Sequence, residues 1–566
     1  MFQMNDERIF TRINEHTDEV LLSLKKSSQK ISDIVSQTAG PYGHNVFLIN
    51  GKNCRVTKDG ISVLRSMTDP ETESDYIALS VIKSASDETN RKAGDGTTAT
   101  CILANEIFQQ GYNFLTAGMN GNLLRKGIAK ASELAQKMVV ESLAVPIKDD
   151  KDIYNVAKVS SNGSDEIAGI LQDVFSKIGK DGMARVELSN TDKTTSKIVY
   201  GMTIDRGLES PYFANNEHGE VVFDNPIILL VNKRLTVLGE LLKPFEVLAK
   251  MNRPILIIAD GYDPDILNTF VLNKLRGLPL CAIVSPSFGE SRTKMMEDIA
   301  IVTGGKVISP ATGFTLDSIL TDKTILGSAK QVIVTAESTS IIADKTVIDQ
   351  KRFDDNLAEI ENSLKESDGK LADHDRNILK TRKARLVSGI GIISVGGATE
   401  AEMHEKKDLV DDAFASVSSS QKKGLVAGSG LTYLAIHDEL YKWLQVHIAE
   451  LTQEEASGFK VFADSLTKPF LTICGNSGSQ NAQYALGVVQ NTNRAEHEKD
   501  AKLSNWTKCI DLGSGEMVDV MEKGIVDSAS AVIETMKNGG AAGAQLLSLS
   551  GVVNTPQKPV PTQPGM

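Results

Sequence analysis

The clearest chemistry lies in Gly94-Asp95-Gly96-Thr97-Thr98-Ala99-Thr100, where one short stretch supplies a turn, a carboxylate and several hydroxyls. Two glycines let backbone amides come close to anionic oxygens, and the threonines add donors. The apolar run over 99–108 predicts a helix whose positive end faces the same anion. Asp95 repels a bare phosphate, so a carboxylate inside this nest fits a divalent cation that arrives with a nucleotide. Hard oxygen ligands point to magnesium. The same residues also describe a Gly-Asp turn with a threonine N-cap.

Three further segments could join this one in a folded site: Thr38 to Gly43, Lys58-Asp59-Gly60, and the Asp412 helix leading to Gly428-Ser429-Gly430. Transfer of a γ-phosphate to water needs a cation to spread charge, amides or a lysine on the equatorial oxygens, and an oriented water in line. Asp95 is the natural cation ligand, and Asp59 and Asp412 are candidates to position or polarise water. Gly40 to Gly43 and Lys58 would serve phosphate oxygens. Read locally, Asp59 also suits an ordinary Lys-Asp-Gly turn, and Asp412 a solvated helix face beside Asp411. No Gly-x-x-x-x-Gly-Lys-Ser/Thr sequence is present, which excludes an ordinary P-loop ATPase, and the histidines lack metal-ligand spacing.

The elements that must position these residues follow from periodicity. At 566 residues the chain suits roughly three or four domains. Apolar spacing predicts one or two helices over 9–38, stopping at Gly40-Pro41, then a hairpin of 45–49 and 53–57 about Asn50-Gly51. Helical periodicity resumes over 76–140 and breaks at Pro146. Between about 200 and 390 short β-branched runs at 227–231, 255–258, 280–284 and 331–334 alternate with helices, bracketed by Gly201 and Gly389. From Glu400 the chain is helical again, and Gly424 opens a last helical block. A middle that differs from both ends, while the ends resemble each other, predicts an α/β domain inserted between two helical halves. In that middle, Leu238, Leu241, Leu242, Phe245 and Leu248 on one helix, and Leu267, Phe270, Val271 and Leu272 on another, suit a core. Leu242 with Phe245, and Leu267 with Val271, could instead edge an apolar groove.

Composition narrows the function class. Lys and Arg total 61 against 73 for Asp and Glu, a net charge of -12, which argues against a general nucleic-acid surface. The five cysteines are far apart, as suits reduced cytoplasmic thiols. No apolar run reaches the ~20 residues that cross a bilayer, so the expectation is a soluble protein without membrane or nucleic-acid partners.

Taken together, Thr38-Ala39-Gly40-Pro41-Tyr42-Gly43-His44-Asn45-Val46, Thr57-Lys58-Asp59-Gly60-Ile61-Ser62-Val63, Gly94 to Thr98 and Val410-Asp411-Asp412-Ala413 resemble, in order and spacing, the nucleotide-site segments of the GroEL-type Group I chaperonins. The resemblance runs from about residue 10 to 545. It implies a multidomain chaperonin fold: a helical equatorial domain over 1–145 and 424–552, a small intermediate domain over 146–200 and 390–423, and an inserted α/β apical domain over 201–389. A disordered tail would follow over 553–566. Pro146 with Gly424, and Gly201 with Gly389, would form the hinges.

The same resemblance implies an ATPase coupled to protein folding, with ATP and Mg2+ and with K+ as a further candidate cation. Asp95 would hold the magnesium, and Asp59 and Asp412 would position water. Thr38, Gly40, Pro41, Lys58, Gly96, Thr97, Thr98 and Gly428 would contact the nucleotide, and Asp527 the ribose. Tyr212, Phe213, Leu242, Phe245, Leu267, Val271 and Leu272 would hold unfolded or partly folded proteins or the loop of a GroES-type co-chaperonin. Arg206 and Glu400 would link neighbouring subunits of a homo-oligomer, expected as heptameric rings stacked in pairs in the cytoplasm.

Departures from the family pattern point to a specialised or virus-encoded homologue, resident in a host cytoplasm. Ala99 stands where a third threonine is usual, and Ser429 where a glycine is usual. The base-side segment Asp511-Leu512-Gly513 is altered, Leu208 replaces a customary tyrosine and Lys243 a customary proline, and the Gly-Gly-Met tail is missing. One lost hydroxyl weakens phosphate binding by the ~0.5–1.5 kcal/mol of a hydrogen bond and leaves the site in place. The alternative is a nucleotide-binding holdase or structural ring scaffold with little ATP turnover. A metabolic kinase is a weaker third reading, because nothing resembles a phosphate-acceptor pocket.

Overall fold

The computed structural model describes residues 17–549, apart from 51–52, 69, 180–181, 190, 217–218, 345, 367–372, 388, 479–480 and 500–501. The tail over 553–566 and the start of the helix expected from residue 9 lie outside the described residues. The chain forms two compact units, one from the segment ending at Gln172 and the segment starting at Thr399, the other from Asp173–Ala398.

In chain order the first unit contains α1 (Thr17–Ser36), β1 (Val46–Asn50), β2 (Asn53–Thr57), α2 (Gly60–Ser66), α3 (Glu73–Ala93), α4 (Thr97–Thr116), α5 (Gly121–Met138) and α6 (Asp150–Ser160). The boundary falls within α7 (Asp165–Ile178). The second unit contains β3 (Met183–Leu188), β4 (Thr195–Val199), β5 (Gly201–Ile204), β6 (Val221–Asp224), β7 (Ile227–Leu235), α8 (Gly239–Ala249), β8 (Ile255–Tyr262), α9 (Pro264–Leu275), β9 (Leu280–Val284) and α10 (Gly289–Thr303). It continues with β10 (Val307–Ile308), β11 (Gly327–Ser328), β12 (Gln331–Val334), β13 (Thr339–Ile342), α11 (Gln350–Glu366), α12 (Asp373–Val387) and β14 (Ile390–Val395). The first unit resumes with α13 (Glu400–Lys423), β15 (Leu425–Ala427), α14 (Leu431–His447), α15 (Gln453–Ser465), α16 (Lys468–Asn476), α17 (Ala482–Lys499), β16 (Lys508–Ile510), β17 (Met517–Asp519), β18 (Val526–Ser528) and α18 (Ala529–Leu547).

In the first unit the core is helical and closely packed. α18 is rich in alanine and glycine, which lets it approach α4: a Cβ on Gly543 would lie 2.7 Å from Ile107, and one on Gly111 would lie 2.4 Å from Leu547. Phe108, Leu103, Phe459, Phe462 and Trp506 fill the space around them. Local signals set the helix starts, among them the Thr72–Asp75 capping box of α3 and the Asn120 cap of α5.

The second unit is the expected α/β body. β10, β7, β8 and β9 form a parallel sheet with β11 antiparallel on β7, and β5-β13-β12-β6 form an antiparallel one. β7, β8 and β9 read as near-continuous apolar runs because both sheet faces are buried. A third sheet, β3-β14-β4, completes the unit. The intermediate region expected over 146–200 and 390–423 is divided, with α6 and α13 in the first unit and β3, β4 and β14 in the second.

The helices that raised the groove question split their apolar residues. On α8 Leu241, Pro244 and Leu248 are buried at three- and four-residue spacing, Phe245 is half-buried, and Leu242 is 58% exposed. On α9 Phe270 is buried, Leu267 and Val271 are half-buried, and Leu272 is 53% exposed. Tyr212 is 68% exposed, but Phe213 is only 1% exposed and packs in the core, which removes it from the expected rim. The tight 3-10 turn Pro211–Phe213 sends these two neighbours in different directions.

At the expected hinges the backbone needs glycine. Gly424 has φ +88, and a Cβ there would sit 2.7 Å from the Val145 carbonyl, beside the Val145–Leu425 bridge. Gly389 has φ +65 with the Val199 carbonyl 2.8 Å from a Cβ. Gly201 has the Ile341 carbonyl 2.4 Å from one.

One buried ion pair locks the second unit. Arg382 donates through Nε and an Nη to the two oxygens of Asp298 at 2.8 and 2.7 Å, and Asn356 adds a third donor at 2.8 Å. Removing one partner strands the other charge in a dry core. Asp298→Ala should therefore cost about 3–5 kcal/mol in denaturant unfolding of the unit, and Asp298→Ala with Arg382→Leu distinctly less. Equal losses in the two variants would show that the pair acts only by filling space.

Candidate functional site

Segments scattered from Thr38 to Val532 converge in the first unit on one cavity of about 830 Å³. The loop after α1 contributes Thr38, Gly40 and Pro41. Asn476, at the end of α16, holds that loop by donating to the carbonyls of Ser36 at 2.8 Å and Ala39 at 2.9 Å. Thr38 Oγ1 donates to the Val35 carbonyl at 2.8 Å and lies 3.4 Å from Thr98 Oγ1.

Lys58 and Asp59 end β2. Lys58 Nζ donates to the Pro41 carbonyl at 3.1 Å, and burial lowers its pKa. Asp59 caps α2, accepting from the amides of Ile61 at 3.3 Å and Ser62 at 2.9 Å. The turn reading and the site reading of Asp59 are thus one arrangement, because the capping carboxylate also lines the cavity.

The Gly94–Thr98 stretch joins α3 to α4 through two left-handed glycines, Gly94 at φ +69 and Gly96 at φ +87. Neither position has room for a side chain: a Cβ on Gly94 would lie 2.1 Å from the Ala415 Cβ, and one on Gly96 would lie 2.6 Å from Thr535 Oγ1. Gly60 is pressed against the same turn, with Thr98 Oγ1 2.1 Å from a Cβ. α4 begins without a side-chain cap, so its first amides and the positive end of its dipole are left for an anion. α14 also begins without one, after Ser429 at φ +57 and Gly430 at φ +77.

Asp412 reaches the cavity from α13, one turn beyond Asp408, which Arg55 of β2 holds at 2.5 Å. Asp527 arrives on β18, opposite Val426 of β15. Every nucleotide-site residue expected from the sequence lines the cavity except Gly43, whose amide is spent on the Gly40 carbonyl at 3.1 Å, and Gly428. Ser429 and Gly430 form that wall instead, because the Gly428 amide is committed to the Ile525 carbonyl at 3.1 Å.

The acids share one electrostatic problem. Burial raises the pKa of Asp95, and Asp59 adds to the rise, while the Gly96 amide and the Ser160 hydroxyl oppose it. Asp412 is pushed well above the carboxylate range by burial, then by Asp59 and Asp95. Asp527 is pushed up to about 7 by burial and then by Asp95. Carboxylates that face one another in a poorly solvated space resist ionisation until positive charge joins them.

Sequence reasoning missed the contribution of α6, whose Tyr154, Asn155, Lys158 and Ser160 line the cavity. Ser160 Oγ donates to Asp95 Oδ2 at 2.9 Å, and Lys158 Nζ pairs with Asp165 at 2.6 Å. A helix of mixed polar and apolar residues carries no spacing that marks one serine for a partner 65 residues away. The other expected positions lie elsewhere. Arg206 stands over the Phe288 ring at 5.8 Å in the second unit, and Glu400 begins α13 with His404 at 3.9 Å in the first.

The chain matches the TCP-1/cpn60 chaperonin family over residues 31–557. Its fold is similar to that of the chaperonin gp146 from bacteriophage EL 2 (Pseudomonas aeruginosa) in two crystal forms, both obtained in the presence of ATP-BeFx. For crystal form II the TM-score is 0.69 at 20% identity, covering 95% of this chain and 98% of the phage chain. For crystal form I it is 0.62 at 20% identity, covering 96% and 99%. With that match across nearly its whole length, the chain belongs to the TCP-1/cpn60 chaperonin family.

Proposed function

We propose that this chaperonin chain is a GroEL-type, virus-encoded subunit of a homo-oligomeric ring that hydrolyses ATP and uses the cycle to fold other proteins. Non-native chains are captured on an apolar apical rim and then enclosed. The carrying observation is the convergence of Asp59, Asp95, Asp412, Asp527 and Lys58 with two uncapped helix starts on one cavity of about 830 Å³. That volume suits a nucleoside triphosphate. The fold is shared with a phage chaperonin crystallised in the presence of ATP-BeFx, which supports nucleotide binding here.

Among the described residues no group of three or more His, Cys, Asp and Glu could hold a metal alone. Asp95 fits a cation that takes its remaining ligands from phosphate oxygens and water, which is how Mg2+ is held beside nucleotides. When bound, Mg2+ supplies the positive charge that spreads the developing negative charge of the phosphoryl group. K+ is a second candidate for the same acidic surface. The amides that open α4, with Thr97, Thr98 and Lys58, hold phosphate oxygens. Asp412 and Asp59 orient the attacking water, and Asp412 accepts its proton. Asp527 faces the ribose.

The equatorial, intermediate and apical division, with hinges at Pro146 and Gly424 and at Gly201 and Gly389, would let hydrolysis move the apical body. Exposed Tyr212, Leu242 and Leu272 with half-buried Phe245, Leu267 and Val271 supply an apolar rim whose binding is largely indifferent to client sequence. Heptameric rings stacked in pairs, joined through Arg206 and Glu400, and a GroES-type lid complete the proposal.

One observation favours a second reading, a holdase or scaffold with little turnover. Ala99 lines the cavity without the usual hydroxyl, and Ser429 occupies a left-handed position that glycine adopts more readily. Steady-state phosphate release separates the two: robust magnesium-dependent turnover eliminates the scaffold.

For the mechanism, Asp412→Ala should keep nucleotide affinity within a few-fold while single-turnover hydrolysis falls at least ~100-fold. Asp95→Ala should instead lose magnesium-dependent binding. An Asp412→Ala protein with normal turnover would sink the water-positioning role.

The pH dependence follows from Asp527. With a folded-state value of about 7 against 3.8 in the unfolded chain, the folded protein keeps a proton that the unfolded chain has released. The ligand-free protein should therefore lose stability as pH rises from about 4 to about 7, with no further loss from this group above that. Asp527→Asn should make the thermal-unfolding profile between pH 5 and 7 in chelator less steep, with Asp95 and Asp412 contributing what slope remains, in a range above the ordinary carboxylate values. An equally steep profile in the variant would remove Asp527 as the cause.

For client capture, Leu242→Ser or Leu267→Ser should leave ATPase activity largely intact and weaken retention of a denatured protein in an aggregation assay. Unchanged retention by a folded variant would defeat the rim assignment, and collapse of the subunit would assign that leucine to the core.

A further inference from the structure

Resting on the reading of Asp95 as the cation ligand, we infer that Ser160, the last residue of α6, is a positioning residue for that carboxylate. Asp95 Oδ1 accepts from the Gly96 amide at 2.6 Å, and Oδ2 accepts from Ser160 Oγ at 2.9 Å. The first donor belongs to the Gly-Asp-Gly turn and comes with it. The second comes from another part of the chain, and it fixes the rotation of the carboxylate about its last bond.

The end of α6 is itself held. Ile153, Val156 and Ala157 are buried, and the buried Ser161 hydroxyl donates to the Ala157 carbonyl at 2.6 Å. Asn162 at φ +55 and Gly163 at φ +87 then close the turn, with the Gly163 amide donating to the Lys158 carbonyl at 2.7 Å. Ser160 is therefore presented to Asp95 by a fixed element, and it also lines the cavity.

A carboxylate that ligates a cation through one lone pair must not swing, and a neutral donor on the other side holds it without adding charge. A hydroxyl suits this task, whereas a lysine would compete with the cation. The arrangement also means that the cation ligand is fully oriented only while the end of α6 rests against the α3–α4 turn. Ser160 thereby ties the conformation of that helix to the quality of the site.

The test uses the full-length assembled protein, with ADP and Mg2+ as probes and Mn2+ as the spectroscopic substitute. Ser160→Ala should raise the Mg2+ concentration for half-maximal ADP binding roughly tenfold. ADP binding in chelator should stay as in the wild type. The Mn2+ electron paramagnetic resonance signal of the ADP complex should broaden. Ser160→Thr should restore both the midpoint and the signal, and Ser160→Val, of nearly the same shape, should not. That last pair measures the hydroxyl even if Ser160→Ala folds poorly. Wild-type Mg2+ dependence in Ser160→Ala, or a loss that is equally large in chelator and not restored by threonine, overturns the inference alone. Absence of any Mg2+-dependent ADP binding in the wild type overturns the cation-site reading and the inference with it.

Discussion

Much of the first unit is arranged around buried carboxyls that, among the described residues, no cation of the protein's own pairs with at the cavity. Asp59, Asp95, Asp412 and Asp527 come from α2's cap, the α3–α4 turn, α13 and β18, and all line one cavity. The lysines on the same walls are otherwise engaged or peripheral: Lys58 donates to a carbonyl, Lys158 is paired with Asp165, and Lys523 is exposed. A folded chain that keeps such a cluster is stabilised by whatever brings positive charge to it, and a phosphate alone would add to the repulsion. On the proposed reading a cation with a polyphosphate resolves both halves of the problem: the carboxylates would take the metal, and the uncapped starts of α4 and α14 would take the anion. The close approaches at Gly60, Gly94 and Gly96 are the steric side of the same requirement, since a single methyl at any of them would separate segments that the site needs together.

How much of this was legible depends on whether a signal was local. The Gly94–Thr98 turn, the hairpin before Lys58, and the strands beginning at Ile227, Ile255, Leu280 and Gln331 all carry their determinants within a few residues, and they stand where periodicity put them. Asp59 fits both local readings because the carboxylate that caps α2 also lines the cavity. Gly428 misled for a related reason. In a Gly-x-Gly turn the residue that faces the cavity is decided by which amide is spent elsewhere, here on Ile525 just beyond the β15–β18 pairing, which is invisible in sequence. The α6 residues were missed because their partners are tertiary.

The apolar helices of the second unit illustrate a different limit. Leu241 and Leu242 are adjacent and chemically identical, yet one is in the core and the other is exposed, and Tyr212 and Phe213 divide the same way. Hydrophobicity sets how many such side chains an element carries, but its neighbours decide which of them are covered. The excess left outside on α8 and α9 is the surface on which the proposed rim rests. It is visible only once the Leu316–Leu320 turn has covered its share of α8 and β9 its share of α9.

These features connect through the two helices that reach the cavity from outside its central turn. α13 carries Asp412 and is tied to the hairpin by Arg55 and Asp408, and α6 carries Ser160 to Asp95. With the cavity free of positive charge, burial and the neighbouring acids hold these carboxyls toward their protonated forms, and little charge draws α13 to the α3–α4 turn. With positive charge supplied, the same acids ionise and are drawn to a common centre. The pull on these helices therefore depends on occupancy. A ligand can shift a conformational balance only by binding one state better than the other. Here such a difference would have to act on the oxygens of Asp412 and Asp95, which different helices and turns bring to the one cavity.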